Sequence, residues 1–138
     1  MERTLAGRCL CGDVAFSLHG PFRSPTECHC GQCRRWHGHT GVYTNVKRSA
    51  VTFSQDRGLT WFASSDIARR GFCRTCGSSL FWDDPTRETI SVTAGCIDGA
   101  TGLTIAEHIY TKDKGDYYSL PAGAVVRPSN QDRDATKK

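Results

Sequence analysis

The chain has 138 residues and 38% hydrophobic residues, a size that suits one domain and a composition that allows only a modest core, of the kind often reinforced by metals or cross-links. The formal net charge is +4. Half of it lies from Arg127 onward, where Arg127, Arg133, Lys137 and Lys138 face Asp132 and Asp134 (four minus two), so the body carries no Lys/Arg stripe of the kind that binds nucleic acid.

In chain order, the N-terminal "MERTLAGRCLCG" lacks the apolar segment of a signal peptide, and no apolar run approaches the ~20 residues of a membrane span. The cytosol is therefore the expected compartment, with no membrane partner. "DVAFSL" alternates, with Val14, Phe16 and Leu18 on one face of a strand. "GQCRRWHG" is the only helical candidate, a turn or two long. "GVYTNV", "VTF", "LTWFAS", "SSLFW", "TISVTAG" and "LTIAEHIYT" are rich in β-branched and aromatic residues, and fourteen glycines and five prolines punctuate the chain. The expectation is an all-β protein of several small antiparallel sheets, with at most a short helical turn. It forms a single domain over 1–126, followed by a disordered tail, "RPSNQDRDATKK", over 127–138.

Seven of the eight cysteines fall in close groups: Cys9/Cys11, Cys28/Cys30/Cys33 and Cys73/Cys76. In a reduced compartment such spacing points to metal or catalysis ahead of disulfides. Residues i and i+2 of a strand share a face, so Cys-x-Cys on extended backbone aims two sulfurs at one point. "FCRTCGSSL" has the form of a metal knuckle, with Gly77 free to take the tight turn. Two pairings stand side by side. Cys30/Cys33 with Cys73/Cys76 makes a four-cysteine ribbon. Cys9/Cys11 with Cys73/Cys76 makes an equally complete site and leaves Cys28, Cys30 and Cys33 as a three-thiolate set, the donor count of a catalytic zinc with a free position.

"GRCLCGDVAF", "ECHCGQCRRWHG", "RRGFCRTCGSSLFW" and "EHIYTKDKGDYYSL", from Gly7 to about Tyr118, together resemble the glutathione-dependent formaldehyde-activating enzyme family, whose superfamily includes centromere protein V. The resemblance implies a β-rich scaffold around a structural zinc held by Cys9, Cys11, Cys73 and Cys76. It also implies a catalytic Zn²⁺ on Cys28, Cys30 and Cys33, and glutathione as co-substrate. The activity implied is that of a carbon–sulfur lyase or synthase serving detoxification, which adds glutathione to a small aldehyde such as formaldehyde to give S-(hydroxymethyl)glutathione.

Arg34 and Arg35 follow the three-cysteine loop and suit the carboxylates of an acidic peptide such as glutathione. Adjacent residues on a helical turn diverge by about 100°, so one of the two is expected to face the ligand. Arg35 is favoured because Arg34 directly follows a metal ligand. His29, between two ligands, is expected to point away from them in a surface or packing role. His37 and His39 are solvated turn residues unless one completes the open site or moves a proton. His108 reads as a hydrogen-bonded packing residue, and Trp36, Trp61 and Trp82 as core or pocket wall. Cys96 departs from the family's usual aliphatic residue and reads as a small buried hydrophobe. Two rival functions compete with the leading one. One is a zinc-stabilised binding module without catalysis. The other is a methionine sulfoxide reductase-like enzyme using Cys96 as nucleophile, which lacks the usual flanking motif and does not need the three-cysteine loop.

Overall fold

A computed structural model describes residues 3–129; the 130–138 part of the expected tail lies outside them. The described chain falls into two compact units, one comprising residues 3–23 and 44–102, the other 24–43 and 103–129. Among the described residues no helix is long and apolar enough to cross a membrane.

The first unit holds seven complete strands. β1 (Thr4–Arg8) and β2 (Ala15–His19) form a hairpin, and β5 (Val51–Gln55) adds to the far side of β2. β6 (Leu59–Ala63), β7 (Arg69–Cys73), β8 (Ser79–Asp83) and β9 (Thr89–Thr93) follow as an antiparallel meander. β4 (Gly41–Lys47) lies beside β9, where Asn45 Nδ2 donates to Ser91 Oγ at 3.2 Å. The alternation of "DVAFSL" is realised: Val14, Phe16 and Leu18 are buried, as are Leu80, Phe81 and Val92. Phe16, Phe53 and Phe81 meet with ring centroids 5.0–5.9 Å apart, in the tilted and edge-on geometries aromatic rings prefer. They weld the three-stranded sheet to the meander.

One polar group is as buried as any of these. The carboxylate of Asp83, at the end of β8, has no exposure and accepts from Arg48 (2.7 Å) and from Arg69 directly across the ladder (2.9 Å). Arg48 also donates to the carbonyls of Asp84 and Arg87. Arg69 lies over Trp61, its guanidinium 3.9 Å from the ring centre.

In the second unit, β3 (Thr26–Cys28) is flanked on one side by the start of β4, antiparallel, and on the other by β10 (Glu107–Ile109), parallel. β11 (Val126–Arg127) continues the sheet in parallel beside β10. Arg127, the first residue of the expected tail, is thus paired, and its Nε donates to Glu107 Oε2 at 2.9 Å. A parallel pair needs a long crossover, and the connection from β3 to β10 runs through the whole 44–102 segment. The "GQCRRWHG" stretch forms α1 (Gly31–His37). Its cap is Cys30, whose Sγ accepts from the Cys33 amide at 3.3 Å, and it stops at Gly38 in the left-handed conformation (φ 81°). Gly41 lets β4 pass close under the helix end: a Cβ there would fall 2.8 Å from the His37 ring.

Removing the Asp83 carboxylate strips two arginines of a fully buried partner. Because both arginines are partly exposed, Asp83→Ala is expected to cost about 3 kcal/mol, the low end for breaking a buried pair. Arg57→Ala, which removes a largely exposed partner of Asp13, should cost under ~1 kcal/mol. Chemical denaturation of the two variants checks this, and equal losses would show that Asp83 does not anchor the meander.

Candidate metal and ligand centres

In the first unit, two turns each deliver a pair of thiols. After β1 the chain turns through Cys9 and Cys11, held by Cys9 N–H to Val14 O at 2.9 Å and Val14 N–H to Cys9 Sγ at 3.3 Å. After β7, Cys73 and Cys76 lie on a turn closed by Gly77 N–H to Cys73 O at 2.7 Å, with Gly77 at φ +82°, where a side chain would strain the backbone. The four sulfurs lie within 4.8 Å of one another, with Cys9–Cys11 and Cys11–Cys73 both at 3.7 Å. A tetrahedral ion with metal–sulfur bonds of about 2.3 Å requires sulfur–sulfur edges of about 3.8 Å, so this set fits a closed four-thiolate metal.

The electrostatics agree. The Ser78 hydroxyl and amide lower Cys76 to about 5. The Asp13 amide lowers Cys11, but desolvation and the neighbouring thiols Cys76, Cys73 and Cys9 outweigh it and raise Cys11 to about 12. One sulfur charges readily while another keeps its proton beside it, a tension that a divalent cation relieves.

In the second unit, Cys28 ends β3, Cys30 caps α1 and Cys33 sits in the first helical turn. Their three sulfurs also lie within 4.8 Å of one another. Cys28 and Cys33 are buried against Ile109, with Cys30 and Tyr110 packed alongside. This set has three donors where the first has four.

His29 does lie on the strand face opposite Cys28 and Cys30, but it is fully buried there. Its Nε2 is 3.0 Å from His108 Nδ1, which is 3.4 Å from Glu27 Oε1. Its other ring nitrogen meets the Tyr118 hydroxyl at 2.5 Å. Burial lowers the His29 pKa, against the pull of Glu27, and raises that of Tyr118. His37 Nε2 is 2.7 Å from the Tyr43 hydroxyl, and His39 Nδ1 is 2.6 Å from that of Tyr117. Neither histidine joins a metal-type cluster among the described residues.

Arg34 and Arg35 diverge as a helical turn requires. Arg35 is exposed. Arg34 is half-buried and donates through Nη1 to the Asp113 carbonyl at 3.2 Å, and its buried Nε has no hydrogen-bond partner. Cys96 donates to Thr93 O at 3.2 Å, and burial pushes its thiol up to about 11, the opposite of what a nucleophile needs. No disulfide joins any of the eight cysteines. Sequence reasoning missed Glu27, Tyr117 and Tyr118. The signal for Glu27 was present: Glu27-x-His29 has the same i, i+2 spacing as Cys28-x-Cys30.

Comparison with known proteins bears on these centres. The chain is 28% identical over 118 residues to an uncharacterized lyase of Schizosaccharomyces pombe, covering 83% of each chain. Its fold matches a crystal structure of a Rhodobacter sphaeroides protein at a TM-score of 0.59 and 22% identity, over 88% of this chain and 98% of that one. The sequence profile described as "Glutathione-dependent formaldehyde-activating enzyme" matches residues 4–113, which include all three clusters. The chain therefore belongs to the glutathione-dependent formaldehyde-activating enzyme family.

Proposed function

We propose that this protein is a zinc-dependent carbon–sulfur lyase or synthase that joins glutathione to a small aldehyde such as formaldehyde, or acts on a related glutathione conjugate. The observation that carries the reading is the unequal donor count: four thiols in one cluster and three in the other. Cys9, Cys11, Cys73 and Cys76 would hold a structural zinc, and Cys28, Cys30 and Cys33 a catalytic one. Zinc held by the three-thiolate set would supply Lewis-acid stabilisation of the glutathione thiolate. A free thiol of pKa ~8.5 is only about 3% ionised at pH 7, so such stabilisation has room to act.

The chain's own residues shape that pocket. Cys28 and Cys33 are fixed by burial and the Cys30 sulfur by the helix cap, so the three sulfurs are preorganised before ligand arrives. Arg34 presents a buried N–H with no acceptor, the donor that a glutathione carboxylate would satisfy. This favours Arg34 over Arg35: the burial of α1, more than freedom to reach outward, decides which arginine has a donor to offer. In the reaction the thiolate sulfur attacks the carbonyl carbon. A carbon–sulfur bond forms, the carbonyl π pair moves to oxygen, and oxygen takes the proton, giving S-(hydroxymethyl)glutathione. The matched residues 4–113 run through both units, and the proposed functional domain is the whole of 1–126. Cysteines grouped as metal ligands suit a reducing compartment, so a cytosolic role in aldehyde detoxification completes the proposal.

Three experiments test it. Cys33→Ser should stay folded, lose about one zinc and lose the acceleration of [¹³C]formaldehyde exchange with glutathione seen by NMR. Cys73→Ser should instead unfold, because a closed structural zinc contributes on the order of 10 kcal/mol to small domains. Identical melting and zinc content for the two variants would overturn the division of roles.

S-methylglutathione keeps both carboxylates but has no ionisable thiol. It should bind at least tenfold more weakly than glutathione in calorimetry, and equal affinity would show that sulfur is not the recognised group.

Arg34→Ala should weaken glutathione binding ten- to a hundredfold, the equivalent of about 1.5–3 kcal/mol for hydrogen bonds to a charged group. Arg35→Ala should change it little, because exposed pairs contribute ~0–1 kcal/mol. The reverse order would transfer the carboxylate role to Arg35.

A further inference from the structure

The face of β3 opposite the cysteines carries a second convergence of donors. Alternation along the strand puts Glu27 and His29 together, and the parallel register sets His108 of β10 directly beside Glu27. His29 and His108 are buried, and Glu27 is half-buried. One potential ligand atom from each of His29, His108 and Glu27 lies within 4.8 Å of the other two.

Hydrogen bonding among themselves serves these atoms poorly. His108 Nδ1 faces both the His29 nitrogen at 3.0 Å and the Glu27 oxygen at 3.4 Å, so a proton on it is divided between two acceptors, and a proton on the His29 nitrogen instead leaves its lone pair facing the Glu27 oxygen. A cation would engage all three lone pairs at once. The two separations at His108, 3.0 and 3.4 Å, agree: donors about 2.1 Å from one ion, at tetrahedral or octahedral angles, stand about 3.0–3.4 Å apart. The outer contacts agree too. The second ring nitrogen of His29 is engaged by the Tyr118 hydroxyl, and the second oxygen of Glu27 accepts from the Thr40 hydroxyl at 2.6 Å. Such partners orient the ring and the carboxylate and turn the remaining lone pairs inward, as the outer contacts of metal ligands do.

We propose that Glu27, His29 and His108 form a third metal site, which binds a divalent first-row transition ion through two imidazoles and one carboxylate. The donor set is harder than either thiolate cluster, so it suits zinc, cobalt(II) or iron(II) and not a thiophilic ion such as copper(I). Three protein donors leave further positions for water or a ligand.

The test uses the untagged full chain, expressed in zinc-depleted medium supplemented with Co²⁺ so that cobalt fills the thiolate sites, purified without chelator, equilibrated with Co²⁺ in slight excess and then desalted. Total metal is counted by mass spectrometry, and the thiolate-bound share is read from sulfur-to-cobalt charge-transfer absorption. The wild type should hold one ion more than its thiolate sites account for. His108→Gln and Glu27→Gln should each lose that ion and keep the charge-transfer bands at full strength. Glu27→Gln keeps an amide oxygen for Thr40 and so guards against a folding defect in the histidine variant; if neither variant folds, the surplus ion in the wild type decides alone. No surplus ion in the wild type, or an unchanged count in folded variants, would overturn the proposal and leave a purely hydrogen-bonded cluster. Failure of the glutathione reading would appear in ligand binding at the thiolates and leave this count untouched.

Discussion

The two-residue period of one short strand governs the second unit. β3 is held by backbone hydrogen bonds on both sides, by β4 and by β10, so it can neither slip nor rotate. A one-residue slip would exchange its faces entirely. With the register fixed, Cys28 belongs with Cys33 and Ile109, while Glu27 belongs with His29 and His108. Soft sulfur donors and harder nitrogen and oxygen donors are sorted to opposite sides of a single backbone. No loop of comparable length could separate two donor sets from adjacent residues so completely.

The first unit solves a different problem, that of stabilising short strands around a small core. Its aromatic cluster of Phe16, Phe53 and Phe81 joins the sheets, and the Asp83 carboxylate ties strand ends that apolar contact does not reach. The four thiols then bring together two turns that are more than sixty residues apart in sequence. Each thiol pair is rigid locally, through the Cys9–Val14 contacts and the Gly77 turn. An ion bound there would have only to join two locally ordered halves, and little ordering entropy would oppose its binding.

Much of this was legible in the residues. Cys-x-Cys and Cys-x-x-Cys carry their geometry locally, and β-branched runs bounded by glycine announce strands. "GQCRRWHG" announces its helix by leaving the two-residue period and ending on glycine. What could not be read was what depends on register between distant strands. His108 looked like a packing residue because nothing near it in sequence pairs with it; its partners lie on β3. His29 was assigned to the correct face by alternation, yet its hydrogen-bond partner Tyr118 lies 89 positions away. Arg34 is half-buried and Arg35 exposed, a difference that spacing alone does not encode.

The parallel pairing of β3 with β10 also fixes an order of events during synthesis. His29 and His108 are 79 positions apart, and the residues between them contain 44–102, the larger part of the first unit. The rest of that unit, up to Arg23, emerges earlier still, so the unit can assemble as soon as residue 102 has left the ribosome. The second unit must wait for β10 and β11, and its closure carries the loop entropy of the whole intervening stretch. On a nascent chain, therefore, Cys28, Cys30 and Cys33 stay uncovered longer than Cys73 and Cys76, although they emerge first. Emerging before Cys73 and Cys76 and being covered after them leaves these three thiols open to oxidation through a longer stretch of synthesis than that pair.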